Sequence, residues 1–98
     1  MAEASLLFYK SAVGESFQVL GTEPLFELEL IQVDDRGQAG GFEQFALVFR
    51  GPEALFLPQQ TVMLRHPEIE DETVFVVPIG KDTDGYRYEA VYSRQVQA

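Results

Sequence analysis

The chain contains no cysteine, few basic residues and no long apolar run, and each of these absences excludes a class of protein. Without cysteine it forms no disulfide, no thiolate zinc site and no cysteine nucleophile. Seven basic residues against 16 acidic ones give a net charge of −9, which disfavours binding to nucleic acids and anionic membrane surfaces. The apolar runs are far shorter than a membrane span, which disfavours a membrane location.

What the chain does contain predicts a single domain over residues 1–98. Its 98 residues are 46% hydrophobic and 12% aromatic, which is rich enough in core-forming side chains to argue against disorder. The start, residues 1–5, lacks the basic stretch of a secretory signal, and the absence of cysteine fits a bacterial cytosol. We therefore expect a cytoplasmic protein.

Short alternating apolar segments, each ended by glycine or proline, predict a fold of the all-β class. Phe26, Leu28 and Leu30 alternate with Glu27 and Glu29, which is the period of a half-buried strand. Strands joined by short loops pair antiparallel, so we expect a small antiparallel barrel or sandwich of six to seven strands. The strands are predicted at 16–20, 25–33, 44–51, 61–65, 73–79 and 86–92.

The segments between these strands are predicted as turns and loops. A change of apolar phase after Leu30 indicates a bulge, a strong twist or burial of both faces, and Pro78 favours an edge or a bulge. The other predicted features are a short helix or first strand within 1–12, a turn bracketed by Gly21 and Pro24, a mobile hairpin loop over 34–41, an irregular or helical crossing over 53–56, an acidic connection over 68–72, a turn over 80–85 and a frayed tail over 93–98.

The predicted core follows from the inward positions of these strands. We expect either Leu47→Ala or Phe49→Ala to lower the free energy of unfolding by about 2–5 kcal/mol. The core residues are predicted to be Phe17, Phe26, Leu28, Leu30, Phe45, Leu47, Phe49, Val62, Leu64, Phe75, Val77 and Tyr88.

No catalytic or metal-binding motif is complete. His66 is the single histidine of the chain, and none of the chain's serines lies in a Gly-x-Ser-x-Gly elbow. We therefore expect no catalytic residues, and we expect the His66 ring to lie at the end of a strand and to make local contacts. The segment 82–85 starts like a calcium loop, but its twelfth position is Ser93 instead of glutamate, so we expect an ordinary turn. The acidic segment 68–72 could hold a cation or only solvate the surface, and we predict no metal and no cofactor.

Four side chains are the candidates for a protein-binding surface. Tyr86 and Tyr92 lie on the last predicted strand, and tyrosine is enriched at interfaces. Arg50 and Arg87 either pair with cross-strand carboxylates such as Glu29 or orient a partner.

A series of short motifs resembles a family of bacterial proteins of about 100 residues with no assigned function. The family has no known site, so the resemblance implies no site residue. Its members are similar to proteins encoded beside phage-tail-collar-type fibre proteins, which implies an accessory or assembly role. The motifs are Phe45-x-Leu47-x-Phe49-Arg50-Gly51-Pro52, Leu57-Pro58-Gln59-x-Thr61, Leu64-x-His66-Pro67, Phe75-Val76-Val77-Pro78-Ile79-Gly80 and Tyr88-Glu89-Ala90-Val91-Tyr92, with Val13-Gly14-Glu15-Ser16-Phe17 near the start.

These observations favour a non-catalytic interaction module that binds a protein partner or a second copy through an exposed strand edge or an aromatic-rimmed face. The predicted edges are the strand ending at Pro78 and the strand 86–92. The first alternative is a small-ligand-binding barrel with an open cavity. The second is an enzyme that uses His66 with carboxylates of the 68–72 segment.

Overall fold

The computed structural model describes residues 5–21 and 26–95. Its strands form one antiparallel sheet that closes into a ring in the order β1-β2-β3-β6-β5-β4, which confirms the all-β class and makes the form a barrel instead of a sandwich. In the described part of the chain, the short helix is far from the length that would cross a membrane. The elements are α1 (Leu6–Ser11), β1 (Ser16–Val19), β2 (Phe26–Ala39), β3 (Phe42–Gly51), β4 (Gln60–His66), β5 (Ile69–Asp82) and β6 (Gly85–Gln95).

The first element is a helix, which decides between the two alternatives for the N-terminal segment. The Ser5 hydroxyl accepts a hydrogen bond from the backbone N–H of Phe8 at 3.0 Å and so caps the helix. The helix brings the Tyr9 ring within 6.2 Å of Phe17 on β1 and within 6.1 Å of Phe45 on β3, measured between ring centroids. Tyr9 is 1% exposed, so the helix plugs one end of the barrel.

Ten of the twelve predicted core residues are buried, and two are not. Phe75 is 50% exposed and Val77 is half-buried, whereas Val74 and Val76 point inward. The prediction for this strand was wrong because β4 sets its phase: Val62 is paired with Val74, so the two side chains share the inner face.

Both predicted irregularities of the strands are confirmed. The β2–β3 register shifts between Leu30 and Gln32, where the apolar pattern of the sequence changes phase. The β5–β6 register shifts between Pro78 and Gly80, next to a residue that has no N–H to donate to the ladder.

Three segments that the sequence predicted as loops or as a frayed tail lie largely in strands. The predicted loop over 34–41 is mostly β2, which turns into β3 at Gly40 and Gly41 with positive φ at both. In the acidic segment, only residue 68 lies in the turn, and β5 begins at Ile69. The tail prediction is wrong for 93–95, which belong to β6 and pair with β3. The long ladder with β3 orders both polar segments.

The remaining connections agree with the sequence in part or lie outside the described residues. Residues 53–56 form an irregular connection with one turn, as predicted. The turn predicted over 80–85 is confined to residues 83 and 84, because β5 extends to Asp82 and β6 begins at Gly85. The Asp82 carboxylate accepts the backbone N–H of Asp84 at 2.9 Å and closes this turn as an Asx-turn. The turn predicted around Pro24, together with residues 1–4 and 96–98, lies outside the described residues.

Candidate functional site

The wall of the barrel is open along part of the boundary between β5 and β6. The two strands pair from Val77 opposite Glu89 to Asp82 opposite Gly85. Beyond Val77, residues 69–76 of β5 pair with β4, and residues 90–95 of β6 pair with β3. Within the described residues, these two stretches have no ladder between them. We call the gap between residues 69–76 and residues 90–95 the seam.

The pairing pattern shows which backbone groups face the seam. Peptide groups in an antiparallel strand point alternately to its two neighbours. Pro78 has no N–H, so we infer that Pro78 and Tyr88 form a non-hydrogen-bonded pair and that Val77 and Glu89 form a hydrogen-bonded one. Counting away from the hydrogen-bonded pair of Val77 and Glu89 and into the seam, the residues at two and four positions direct their N–H and C=O groups into the gap. They are Phe75 and Thr73 on β5, and Val91 and Ser93 on β6.

A cavity of about 380 Å³ lies in the seam. It is lined by three acidic side chains and one basic side chain together with a threonine and a tyrosine: Glu70, Asp71, Glu72, Arg94, Thr73 and Tyr92. The Arg94 guanidinium bridges the two sides through an ion pair with Glu72 at 2.7 Å. Both side chains of this pair are largely buried, so the bridge forms the floor of the seam.

Aromatic rings support this floor from inside the barrel. Tyr92 stacks on Phe45 with ring centroids 4.7 Å apart and planes 8° apart. The Arg94 guanidinium lies 4.8 Å from the Tyr92 ring centroid, within the range of a cation–π contact. The hydroxyl oxygens of Tyr9 and Tyr92 are 3.5 Å apart. The floor is therefore a packed unit of helix α1 and strands β3, β5 and β6.

Burial changes the acid–base behaviour of the two floor tyrosines. Loss of water around the phenols raises the pKa of Tyr9 and that of Tyr92 well above the usual tyrosine value. The neighbouring Glu72 carboxylate acts in the same direction on both groups, and the Arg94 guanidinium opposes it. Both phenols therefore stay neutral above the pH at which an exposed tyrosine ionises, and they can donate or accept hydrogen bonds.

The outer face of the seam carries exposed apolar side chains on both sides. Phe75 on β5 is 50% exposed, and Val91 on β6 is 60% exposed. Met63, which neighbours β5 on the outer face of β4, is 42% exposed. The seam thus combines unpaired backbone, a charged floor and an apolar outer margin.

The four predicted interaction residues do not form one surface. Arg50 on β3 and Arg87 on β6 lie opposite each other in the strand ladder, at the end of β6 that is far from the seam. Arg50 forms ion pairs with Glu29 at 3.3 Å and with Asp84 at 3.5 Å, which is the structural pairing that the sequence predicted as one alternative. Arg87 Nε donates to the Asp82 carboxylate at 2.7 Å.

The two predicted tyrosines lie at different ends of the last strand. The Tyr86 ring contacts Phe56 at 5.1 Å and has the Lys81 ammonium 5.2 Å from its centroid. Tyr92 lines the seam. Of the four candidates, only Tyr92 therefore belongs to the site described here, and a binding role for the others stays a prediction.

The sequence reasoning missed Glu72, Arg94 and the apolar Phe75 as seam residues. Two signals were available: Arg94 continues the inward phase of Tyr88 and Tyr92, and Pro78 marks the place where pairing with β6 becomes irregular. Neither signal shows that β5 and β6 diverge.

His66 is a second cluster of polar groups and lies next to α1. It is 5% exposed, and its ring contacts Phe8 and Phe17 at centroid distances of 5.2 and 4.9 Å. Nε2 lies 2.6 Å from a Glu15 carboxylate oxygen, and Nδ1 accepts the backbone N–H of Glu68 at 3.1 Å. The carboxylate partner is thus Glu15 and not a side chain of the 68–72 segment. The bond to Glu68 is the local contact that the sequence led us to expect, whereas Glu15 and the two phenylalanines are distant along the chain.

The His66 cluster has ligand types that suit a metal ion, but its hydrogen bonds oppose one. Potential ligand atoms of Glu15, His66 and Glu68 lie within 4.8 Å of one another. Because Nδ1 accepts a hydrogen bond, the neutral ring carries its proton on Nε2, directed at Glu15. A metal at either nitrogen would have to displace one of these bonds.

We expect zinc or nickel ions to leave the melting temperature of the protein unchanged, because both nitrogens of His66 are already used. Thermal unfolding with and without metal measures this, and nitrogen NMR of the ring identifies the protonated atom. A metal-dependent rise in melting temperature that disappears in Glu15→Gln would contradict this assignment and establish a metal site.

One of three comparisons with known proteins finds a relationship. A family model described as a domain of unknown function (DUF6916) matches residues 5–92. Neither the curated proteins nor the solved structures contain a match to the chain.

Proposed function

The chain belongs to the DUF6916 family of domains of unknown function, and we propose that it is a non-catalytic interaction module that binds an extended segment of a partner protein in the seam. The segment would add a strand between β5 and β6. The observation that carries this proposal is the unpaired backbone of both strands along the seam within the described residues.

Unpaired backbone also occurs elsewhere in the described sheet, for example along residues 32–39 of β2 on the side away from β3, but the seam has an unpaired strand on each of its two sides. β3 is paired with β2 on one side and with β6 on the other over most of its length. Where β2 continues past β1, the Leu30 carbonyl accepts the N–H of Gly14, and the Leu30 N–H donates to the Glu15 carbonyl. An exposed edge with free N–H and C=O groups is a template for another chain, so the seam favours a binding role.

The resemblance of the sequence motifs supports a more specific setting for the proposal. It favours an accessory or assembly role in a phage-tail-like fibre system of a bacterium, in the cytoplasm, with a fibre protein as the partner. A small-ligand-binding barrel is the alternative, and the cavity of about 380 Å³ in the seam has a volume within the usual range of ligand pockets. The experiments on the seam separate a peptide from a small molecule.

We expect Val91→Pro to keep the fold and to lose partner binding. Its peptide N–H faces the seam, so proline removes a donor for the added strand without removing a bond to β3. The matched control is Val91→Thr, which keeps the N–H and a β-branched side chain. The measurement is affinity capture from the native bacterial lysate, with the captured complex sized by light scattering and each variant checked by thermal unfolding.

The outcomes of this experiment are distinct. Strand addition in the seam is supported if one stoichiometric protein partner binds the parent and Val91→Thr alike and binds Val91→Pro with an affinity at least about tenfold lower. Equal capture by all three proteins would move the interface away from the seam. A monomer that captures nothing would contradict the interaction module.

A further inference from the structure

We propose that the segment bound in the seam alternates basic and apolar side chains, with the basic ones facing the floor and the apolar ones facing outward. This inference rests on the proposed function, since it specifies the partner of the same site. It follows from the difference between the two faces of the seam.

The inner face of the seam is acidic. Glu72 shares the inward phase of Val74 and Val76 and lines the cavity together with Glu70 and Arg94, whereas Asp71 has the outward phase of Phe75. Asp71 and Glu72 are already in ion pairs with Arg65 and Arg94. Glu70, in contrast, has no ion pair among the described residues. A lysine or arginine of a bound strand would therefore find an exposed carboxylate without an ion pair beside the floor.

A half-buried carboxylate adds to this charge from β3. Glu43 lies opposite Arg94 in the β3–β6 ladder and has the same inward phase as Phe45 and Leu47. It also forms no ion pair within the described ranges 5–21 and 26–95. Charge complementarity therefore favours a basic segment, and the net charge of −9 would speed its encounter with the chain.

The outer face of the seam presents one exposed apolar side chain on each strand, next to polar side chains that share this face, Asp71 and Thr73 on β5 and Ser93 on β6. Phe75 on β5 and Val91 on β6 are at least half exposed, and both lie on strands that border the gap. Side chains of a strand alternate between its two faces, so every second residue of an inserted strand would lie between these two side chains. Apolar residues at those positions would remove the apolar surface of Phe75 and Val91 from water.

The acidity also distinguishes among occupants. A second copy of the chain would bring its own acidic edge, with Glu68 and Glu70, against the same carboxylates, and like charges repel. A nucleic acid would be repelled for the same reason. A basic, extended peptide of another protein would bond to the unpaired backbone, place its positive charges near the carboxylates and cover the exposed Phe75 and Val91.

The test uses three synthetic peptides of about seven residues, which is close to the length of the unpaired part of β5. The first alternates lysine and valine, the second has the same composition with the lysines and valines in separate blocks, and the third alternates glutamate and valine. Fluorescence anisotropy gives each Kd, and amide NMR of the whole protein locates the binding. We expect the first peptide to bind at least about tenfold more tightly than the others, with shifts at Thr73 and Val91.

Charge variants test the floor directly. Glu70→Gln removes an exposed carboxylate that has no ion pair in the described structure, so we expect the fold to be kept. We expect the Kd of the lysine peptide to rise about threefold or more. The matched control is Glu27→Gln, the same change at an exposed position of β2 away from the seam. Added salt is expected to weaken binding of the lysine peptide to the parent.

Failure of this inference and failure of the proposed function give different results. If the glutamate peptide binds in the seam as tightly as the lysine peptide, the seam adds strands but the charge inference is wrong. If the blocked peptide binds equally well, the alternation is wrong. If no peptide shifts the amides of Thr73 and Val91, both the inference and strand addition in the seam are wrong.

Discussion

Phe49→Ala is expected to lower the free energy of unfolding by about 3–5 kcal/mol. The side chain is fully buried, and its ring meets Phe17 edge to face at a centroid distance of 5.8 Å. It is paired with Leu30 on one side and with Tyr88 on the other, so its removal leaves a cavity that three strands surround. A domain of this size has a total stability of about 5–15 kcal/mol, so the loss is a large fraction of it.

The matched control for this prediction is Phe75→Ala. It makes the same chemical change at a side chain that is 50% exposed, and we expect an effect below about 1 kcal/mol. Urea unfolding measured by circular dichroism gives both values, with the slopes compared to exclude changes in the unfolded state. A Phe49→Ala protein as stable as the parent would contradict the core assignment. An equally large loss in Phe75→Ala would contradict the phase of β5.

The contrast between these two phenylalanines shows what alternation can and cannot predict. In β2, apolar residues alternate with glutamates, and in β3 the large residues Phe45, Leu47 and Phe49 alternate with smaller ones, so the inward faces of these strands followed from the sequence. In β5, the run from Val74 to Val77 is apolar at every position. Such a run fits either phase, and only the pairing of Val74 with Val62 selects one. That pairing depends on contacts that are distant in sequence.

The polar extension of β2 was missed for a different reason. Aspartate and glycine favour turns, so the segment from Asp34 to Gly41 indicated a loop. In the structure the ladder with β3 continues through Asp34 and Asp35, and Lys10 of the helix pairs with Asp35 at 2.9 Å. Tertiary pairing overrides local preference here, as is common for strands.

The seam was only partly predictable. The sequence identified β5 near Pro78 and the last strand as edges, and it identified Tyr92 as a candidate residue. It did not show that β5 follows β4 while β6 follows β3 beyond Val77. The ion pair of Glu72 and Arg94 joins residues that are 22 positions apart, and no local pattern relates them.

The stability of the protein is expected to fall steeply in alkaline solution, because two tyrosines of the seam floor are buried. Burial raises the pKa of Tyr9 and of Tyr92 in the folded state, whereas tyrosines in the unfolded chain titrate near about pH 10. Above that pH the unfolded chain releases protons that the folded chain still holds, so the free energy of unfolding decreases as pH rises. Each phenol contributes about 1.4 kcal/mol per pH unit, and the two together about 2.7.

The sign of this effect and its pH range follow from the pKa of a tyrosine in the folded and in the unfolded chain. Stabilisation by the neutral phenols is complete below about pH 10, which is their pKa in the unfolded chain, and is lost as pH rises toward the folded-state values. Tyr88, which is fully buried, has a pKa raised mainly by burial and adds a contribution of the same sign. Urea unfolding at a series of alkaline pH values measures the slope, and ultraviolet absorbance follows tyrosinate formation in the folded protein.

Phenylalanine variants assign the slope to individual tyrosines. Tyr92→Phe keeps the ring that stacks on Phe45 and removes only the ionisable hydroxyl, so we expect the slope to decrease by about 1.4 kcal/mol per pH unit. Tyr9→Phe should act similarly, and the double variant should retain only the contribution of Tyr88. A parent protein whose alkaline slope equals that of the double variant would show that water reaches both phenols. The floor of the seam would then be open, and the packed support that the proposed binding site requires would be absent.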